Sequence, residues 1–289
     1  MTTYLVGLDG SEHARDALAW ALAVARRDDS IVALHAWEQP AVTGYDGTVV
    51  VDPAETEAAS ARFMEAVLAE IDDDRVDGQI VEGSPGRSLV RAATTLGPDV
   101  AVIVGHGGSG KMSLLLGSTA HHVVHHTDRP VVVARGDLRL PVRHVVVGVD
   151  GFEHGHDPDE HSMAALRWAL QVPGVATVEV CHADFVPGVA AGPVREPGVE
   201  SDAEAAADDA RLRRAIELAT GGTGSAPSGA DVVPVVAAGT GAFALIEASR
   251  EVDLVVVGSR GRAGLVELVV GSTTLEVLAH AHCPVAVVR

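Results

Sequence analysis

Residues 255–273 read VVVGSRGRAGLVELVVGST, and residues 100–119 read VAVIVGHGGSGKMSLLLGST. Each stretch begins as an apolar run with strand character, passes through a glycine-rich loop, and ends on Gly-Ser-Thr, where a helix can start. The earlier copy contains Gly105-x4-Gly110-Lys111, the outline of a P-loop. A P-loop places Ser or Thr directly after its lysine, to hold Mg²⁺, and opens its helix there. Here the next residue is Met112, and the later copy has Leu265 opposite Lys111. The P-loop reading fails on both counts. What remains is Gly258-x2-Gly261-x9-Gly271-Ser272 in the later copy. With residues 99–135 laid on 253–289 at a constant spacing of 154, Gly107, Gly110 and Gly117 fall on Gly261, Gly264 and Gly271. In that alignment Val104 takes the first-glycine position and Gly105 comes one residue late.

The repetition extends over the whole chain. Val6-Gly7-Leu8-Asp9-Gly10 matches Val147-Gly148-Val149-Asp150-Gly151, and EHARDALAWAL after Ser11 matches EHSMAALRWAL after Asp159. Leu34-His35-Ala36 matches Cys181-His182-Ala183, and Pro130 matches Pro284. Two homologous domains are expected at 1–135 and 144–289, joined by a linker over 136–143. Within the first copy, strand patterns fall near 4–9, 31–37, 79–82, 100–104 and 131–134. Helical patterns follow Ser11, span 53–71 and 87–96, and begin again at Ser118. Strands alternating with helices predict an α/β fold: two tandem doubly wound domains, each a parallel sheet with helices on both faces.

Composition agrees with that class and narrows the partners. Hydrophobic residues make up 47% of the 289 and aromatics only 3%, so valine, alanine and leucine must build the core. No apolar run reaches the ~18 residues that a membrane helix requires, and no signal peptide is expected at the start. A net charge of −19 argues against nucleic-acid binding, which relies on Lys and Arg to neutralise phosphates. Cys181 and Cys283 are too few for a disulfide framework and read as buried thiols.

The glycine loops have their own logic as a phosphate cradle. Gly258 ends the fourth strand at a sharp turn, and a glycine at 261 lets the backbone approach a phosphate without a Cβ between them. Gly271-Ser272 opens the last helix with free amides and the positive dipole end. In an open α/β sheet, ligands bind beyond the carboxyl ends of strands one and four. Asp9 and Asp150, closing strand one in each copy, are placed to meet a ribose or base there.

These motifs resemble the universal stress protein family, in a tandem two-domain form covering both halves. The resemblance implies five-stranded parallel sheets, a cytoplasmic location, association through the last strands as a homodimer or as a pseudo-dimer within one chain, and ATP binding with Mg²⁺. By position, Asp150, Gly151, Gly258, Arg260, Gly261, Gly271, Ser272 and Thr273 would hold nucleotide in the second half. Asp9, Gly10, Gly105, Gly107, Gly117 and Ser118 would do so in the first, with backbone at Ala36 and Ala183 facing the adenine. Arg260 and Arg262 would neutralise the triphosphate. The displaced Gly105 predicts a weaker first site. In the second half, the insertion of residues 152–158 is expected to reshape the adenine side.

Other clusters read more plainly. The His- and Asp-rich segment 153–161 is expected to be a polar insertion rather than a metal site. His121, His122, His125 and His126 are expected on a solvated helix face. Ser11 reads as a helix N-cap, not a nucleophile. No nucleophile–base–orienter set recurs between the copies, so a binding or regulatory protein is expected rather than a dedicated enzyme. Slow ATP hydrolysis and an interaction module without nucleotide are the competing readings.

Overall fold

The computed structural model describes residues 1–39, 52–97, 99–106, 116–150, 158–184, 202–259 and 270–289. The first half runs β1 (Thr3–Gly7), α1 (Glu12–Val24), β2 (Ser30–Trp37), α2 (Pro53–Ala69), β3 (Val76–Glu82), α3 (Pro85–Leu96), β4 (Val100–Gly105), α4 (Ser118–His126) and β5 (Val131–Ala134). The second repeats it as β6 (His144–Gly148), α5 (Glu160–Ala169), β7 (Thr177–Asp184), α6 (Asp202–Ala219), β8 (Asp231–Ala238), α7 (Gly241–Ala248), β9 (Leu254–Gly258), α8 (Ser272–His280) and β10 (Val285–Val288). All pairings within each half are parallel. The halves join into one ten-stranded sheet, ordered β3-β2-β1-β4-β5-β10-β9-β6-β7-β8.

The join is β5 against β10, antiparallel, with Val132 opposite Ala286. The expected association of last strands therefore occurs inside one chain. Each last strand already has a neighbour on both sides, so neither offers a free edge to a second chain. Two arginines reinforce the join reciprocally. Arg135, following β5, donates to the carbonyls of Leu278 and Ala279 at the end of α8. Arg289, following β10, donates to Val124 O at 2.7 Å and His125 O at 3.1 Å at the end of α4. Each guanidinium meets the negative end of the other half's last helix. Burial lowers Arg135 to about 10, which leaves it charged at neutral pH. Directly after it, Gly136 adopts φ +59, and a Cβ there would land on the carbonyl of His282.

Strand alternation divides the core into two layers, one on each face of the sheet. Tyr4, Val6, Ile31 and Ile103 pack with Trp20, Met64, Leu166 and Leu212 under α1, α2, α5 and α6. Leu5, Val32, Val102 and Val133 pack on the other face with Leu89, Val123, Leu245 and Val277 from α3, α4, α7 and α8.

Several boundaries differ from the sequence reading. β1 ends at Gly7, so Asp9 lies two residues beyond the strand rather than closing it. β3 begins at Val76, three residues early, because Gly78 sits under α2. A Cβ at Gly78 would lie 2.8 Å from Met64 and 2.7 Å from Leu68, so glycine permits the contact. α3 begins at Pro85, which occupies the first helical position, where a missing N–H costs nothing.

Candidate functional site

β1 and β4 are adjacent and parallel, and the chain leaves them toward opposite edges of the first half's sheet. The carboxyl ends of these strands open a cavity of about 270 Å³. Its walls include Asp9 and Ser11 after β1, Ala36 of β2, Pro85 of α3, Gly105 of β4, and Gly117, Ser118 and Thr119 at the start of α4. Asp9, Ala36, Gly105, Gly117 and Ser118 are thus brought together as the sequence suggested. Gly10, at φ +84, is outside this lining and turns the chain toward α1. Gly107 lies outside the described residues.

Each wall has a local cause. The Asp9 carboxylate accepts the Ser11 N–H at 2.9 Å, and Ser11 Oγ accepts the Ala14 N–H at 3.1 Å, so one caps the other's turn at the head of α1. Ser11 is therefore an N-cap. Gly117 precedes α4 with no side-chain cap, so the first amides of that helix face the cavity unsatisfied by capping. The Gly117 N–H itself donates to His106 O at 2.8 Å, which pins the end of the loop to its beginning. An open helix end receives an anion, and a carboxylate opposite it receives hydroxyl or amino donors.

The same anchors recur in the second half. Gly271 N–H donates to Ser259 O at 2.9 Å, and Ser259 N–H to Val288 O at 2.7 Å. In the first half the matching bond runs from His106 N–H to Ala134 O, at 2.8 Å. His106 therefore corresponds to Ser259, and Gly105 to Gly258. Packing says the same. A Cβ at Gly105 would lie 2.7 Å from the His13 carbonyl carbon, and one at Gly258 would lie 2.9 Å from that of His161. The constant spacing of 154 is thus corrected: β4 and β9 are related by 153, and only from Gly117 onward does 154 hold. Gly105 is not late, and Val104 is an ordinary core residue, 2% exposed. The first half's loop is one residue shorter. Counted from Gly105, its motif is Gly105-x2-Gly108-x8-Gly117-Ser118, in which Gly108 has the spacing from Gly105 that Gly261 has from Gly258. With Gly105 in register with Gly258, no displaced first glycine sets the first cradle apart from the second.

Asp150, Ala183, Gly258, Gly271, Ser272 and Thr273 occupy the equivalent places in the second half. Gly151, Arg260, Arg262 and Gly261 lie outside the described residues, as do residues 152–157 of the insertion. The ends of the insertion meet: Asp159 N–H approaches Asp150 O at 3.4 Å. Asp159 caps α5 through the amides of His161 and Ser162, and Ser162 Oγ accepts the Asp150 N–H at 3.1 Å. The second loop thus keeps its aspartate next to the helix despite the added residues.

One pair of residues was not singled out for the site. His35 Nδ1 bonds Leu8 O at 2.8 Å, and His182 Nδ1 bonds Val149 O at 3.1 Å. A carbonyl only accepts, so Nδ1 carries the proton in each. These histidines tie β2 and β7 to the residue just before each aspartate. The signal was present as the repeated His-Ala dipeptide, but a repeat alone does not say which backbone atom a ring will meet. The four histidines of α4 form two stacked pairs, His121–His125 and His122–His126, each with centroids 4.1 Å apart. No group of three or more metal-ligating side chains occurs among the described residues. Both thiols are buried and pushed up to about 12, chiefly by burial, so neither is a nucleophile at neutral pH.

Comparison with known proteins agrees with the geometry. The model of the universal stress protein family matches residues 1–135 and again 141–289. A universal stress protein of Mycolicibacterium smegmatis is 28% identical, over 99% of this chain and 96% of its own length. One from Mycobacterium tuberculosis is 33% identical over 45% of this chain and 44% of its own. In structure, a universal stress protein from Archaeoglobus fulgidus superposes with a TM-score of 0.65 at 20% identity, covering 99% of this chain and 98% of that one. With both halves matched in sequence and the whole architecture matched in space, the chain belongs to the universal stress protein family.

Proposed function

We propose that the chain binds ATP, with Mg²⁺, in glycine-loop sites at the carboxyl ends of its strands, and acts as a regulatory stress protein rather than a dedicated enzyme. The observation that carries this reading is the cavity at the β1–β4 switch point, with Asp9 on one wall and the uncapped start of α4 on another. In this reading the phosphates sit against Gly117, Ser118 and the α4 dipole. Asp9 accepts from the ribose, and the backbone at Ala36 meets the adenine. Asp150, Ala183, Gly258, Gly271, Ser272 and Thr273 play the same parts in the second half, with Gly151, Arg260 and Gly261 contributed by the loops. We take 1–135 and 144–289 as the domains, a cytoplasmic location, and the intramolecular pseudo-dimer as the working unit. Two buried, high-pKa thiols and an N-capping Ser11 support a binding role over a nucleophilic one.

Mass spectrometry of nucleotide released from freshly purified, denatured protein, followed by calorimetric titration with Mg-ATP, tests this. Asp9→Ala and Asp150→Ala should each weaken one site by about tenfold, the cost of a hydrogen bond to a charged group. Neither copurified nor titratable adenine nucleotide would leave the interaction-module reading in its place. ADP production lost in loop variants would favour the ATPase.

A further inference from the structure

At the other end of the first half's sheet, residues of both halves line a second, open cavity of about 540 Å³. It lies where β1, β2, β4 and β5 begin, and the C-terminal ends of α1 and α5 close over it. Trp20 and Trp168, equivalent residues of those helices, both line it, as does Tyr4. Pro227 and Ser228 reach it from the loop between α6 and β8, residues 220–230, which is longer than its counterpart between α2 and β3. That loop makes the cavity asymmetric, although the helices around it are repeated.

The polar lining carries an excess negative charge. Asp29 is 8% exposed, and its two oxygens accept the Thr2 and Arg26 amides at 2.7 and 2.8 Å. Asp99 is exposed at the rim, and its carboxylate has no partner among the described residues. Arg26 is the cation of the lining, and its side chain reaches Gln171 O at 3.5 Å across the seam. Tyr4 is raised to about 12, by burial first and then by Asp29, so its hydroxyl stays neutral. Trp20 is 1% exposed, and its Nε1–H is buried without an acceptor among the described residues. A buried donor without a partner is costly and rare.

We propose that this seam cavity is a second small-molecule site, taking a flat, nitrogen-bearing aromatic ring system that is neutral or cationic. Its volume falls in the range of ordinary ligand pockets. Trp168, the partly exposed tryptophan of the lining, supplies the stacking surface, and a ring nitrogen supplies an acceptor. Asp99 and Asp29 favour a cation and disfavour a phosphorylated ligand, which separates this site from the one beside Asp9.

The three tryptophans give the test its readout. The full chain is labelled with 5-fluorotryptophan, and its ¹⁹F resonances are assigned by single Trp→Phe changes. Titration with 4-aminoquinoline, a cation at neutral pH, should shift Trp20 and Trp168 saturably and leave Trp37 unmoved. Quinoline-4-carboxylate should not saturate. Asp99→Asn, which keeps the backbone carbonyl that accepts the Thr3 N–H, should weaken aminoquinoline binding by about tenfold. Arg26→Gln, at an exposed side chain, should tighten it. The proposal is overturned if Trp20 and Trp168 do not respond at millimolar probe, if Trp37 shifts in step with them, or if both Asp99→Asn and Arg26→Gln leave the affinity unchanged.

Discussion

Gly105 and Gly258 each abut the backbone of a histidine at the head of the first helix of their half, and that contact fixes the register of the site loops. A Cβ at Gly105 would meet the His13 carbonyl carbon at 2.7 Å, where backbone on both sides has no room to give. At Gly7 a Cβ would meet Leu89 Cδ1 at 2.9 Å, the tip of a side chain that can turn aside. Gly105→Ala should therefore cost about 1–3 kcal/mol of unfolding free energy, and Gly7→Ala clearly less, as read from urea denaturation. The corrected register adds a functional expectation. Gly108→Val should reduce nucleotide binding by the first half more than Gly107→Val, measured by titration of a chain whose second site is disabled by Gly261→Val. A larger loss from Gly107→Val would return the alignment to its constant spacing. This register was not legible in the sequence, because Gly105, Gly107, Gly108 and Gly110 offer four near-equivalent anchors in six residues. Only the bonds from His106 to Ala134 and from Ser259 to Val288 show that Gly105 is the partner of Gly258.

Among the elements, the strands and helices were legible wherever apolar period and caps agreed, as in α1 behind Ser11 or α4 behind Gly117. They were misread where tertiary contact outweighed local pattern. β3 was expected over 79–82 and begins at Val76, with Gly78 lying against the Met64 and Leu68 side chains of α2. α4 carries a further consequence in its histidines. Burial lowers His122, helped by His126 and Arg87, and burial also lowers His125, against the bond to His121 O. A histidine whose folded pKa is depressed binds its proton more readily in the unfolded chain. Stability from these two groups is therefore complete above the unfolded value of about 6.5 and falls as the pH drops below it. Melting temperature should decline between pH 7 and pH 5. The His122→Gln, His125→Gln double variant should flatten that slope relative to the parent; His121, His126, Arg87 and Arg289 remain as the other charged or titratable neighbours.

For the whole molecule, the duplication was plain in the sequence, and the joining of last strands was an expectation the sheet meets. The merger into ten continuous strands came from the structure. Separately produced halves, 1–135 and 141–289, would each expose a fully buried last strand. Mixed, they should form a one-to-one complex, checked by light scattering on a sizing column; two stable monomers that ignore each other would count against the join as an adhesive surface. Within the intact chain, the β5–β10 seam is closed by covalent connection, so its effective concentration does not vary with that of the protein. Dilution cannot part the halves, and exchange of like chains cannot scramble them. A pair made from two copies of one domain must carry the same loop twice. Here one loop could lose a residue before Gly117 while the other gained seven after Gly151, each change inherited in fixed partnership with the other.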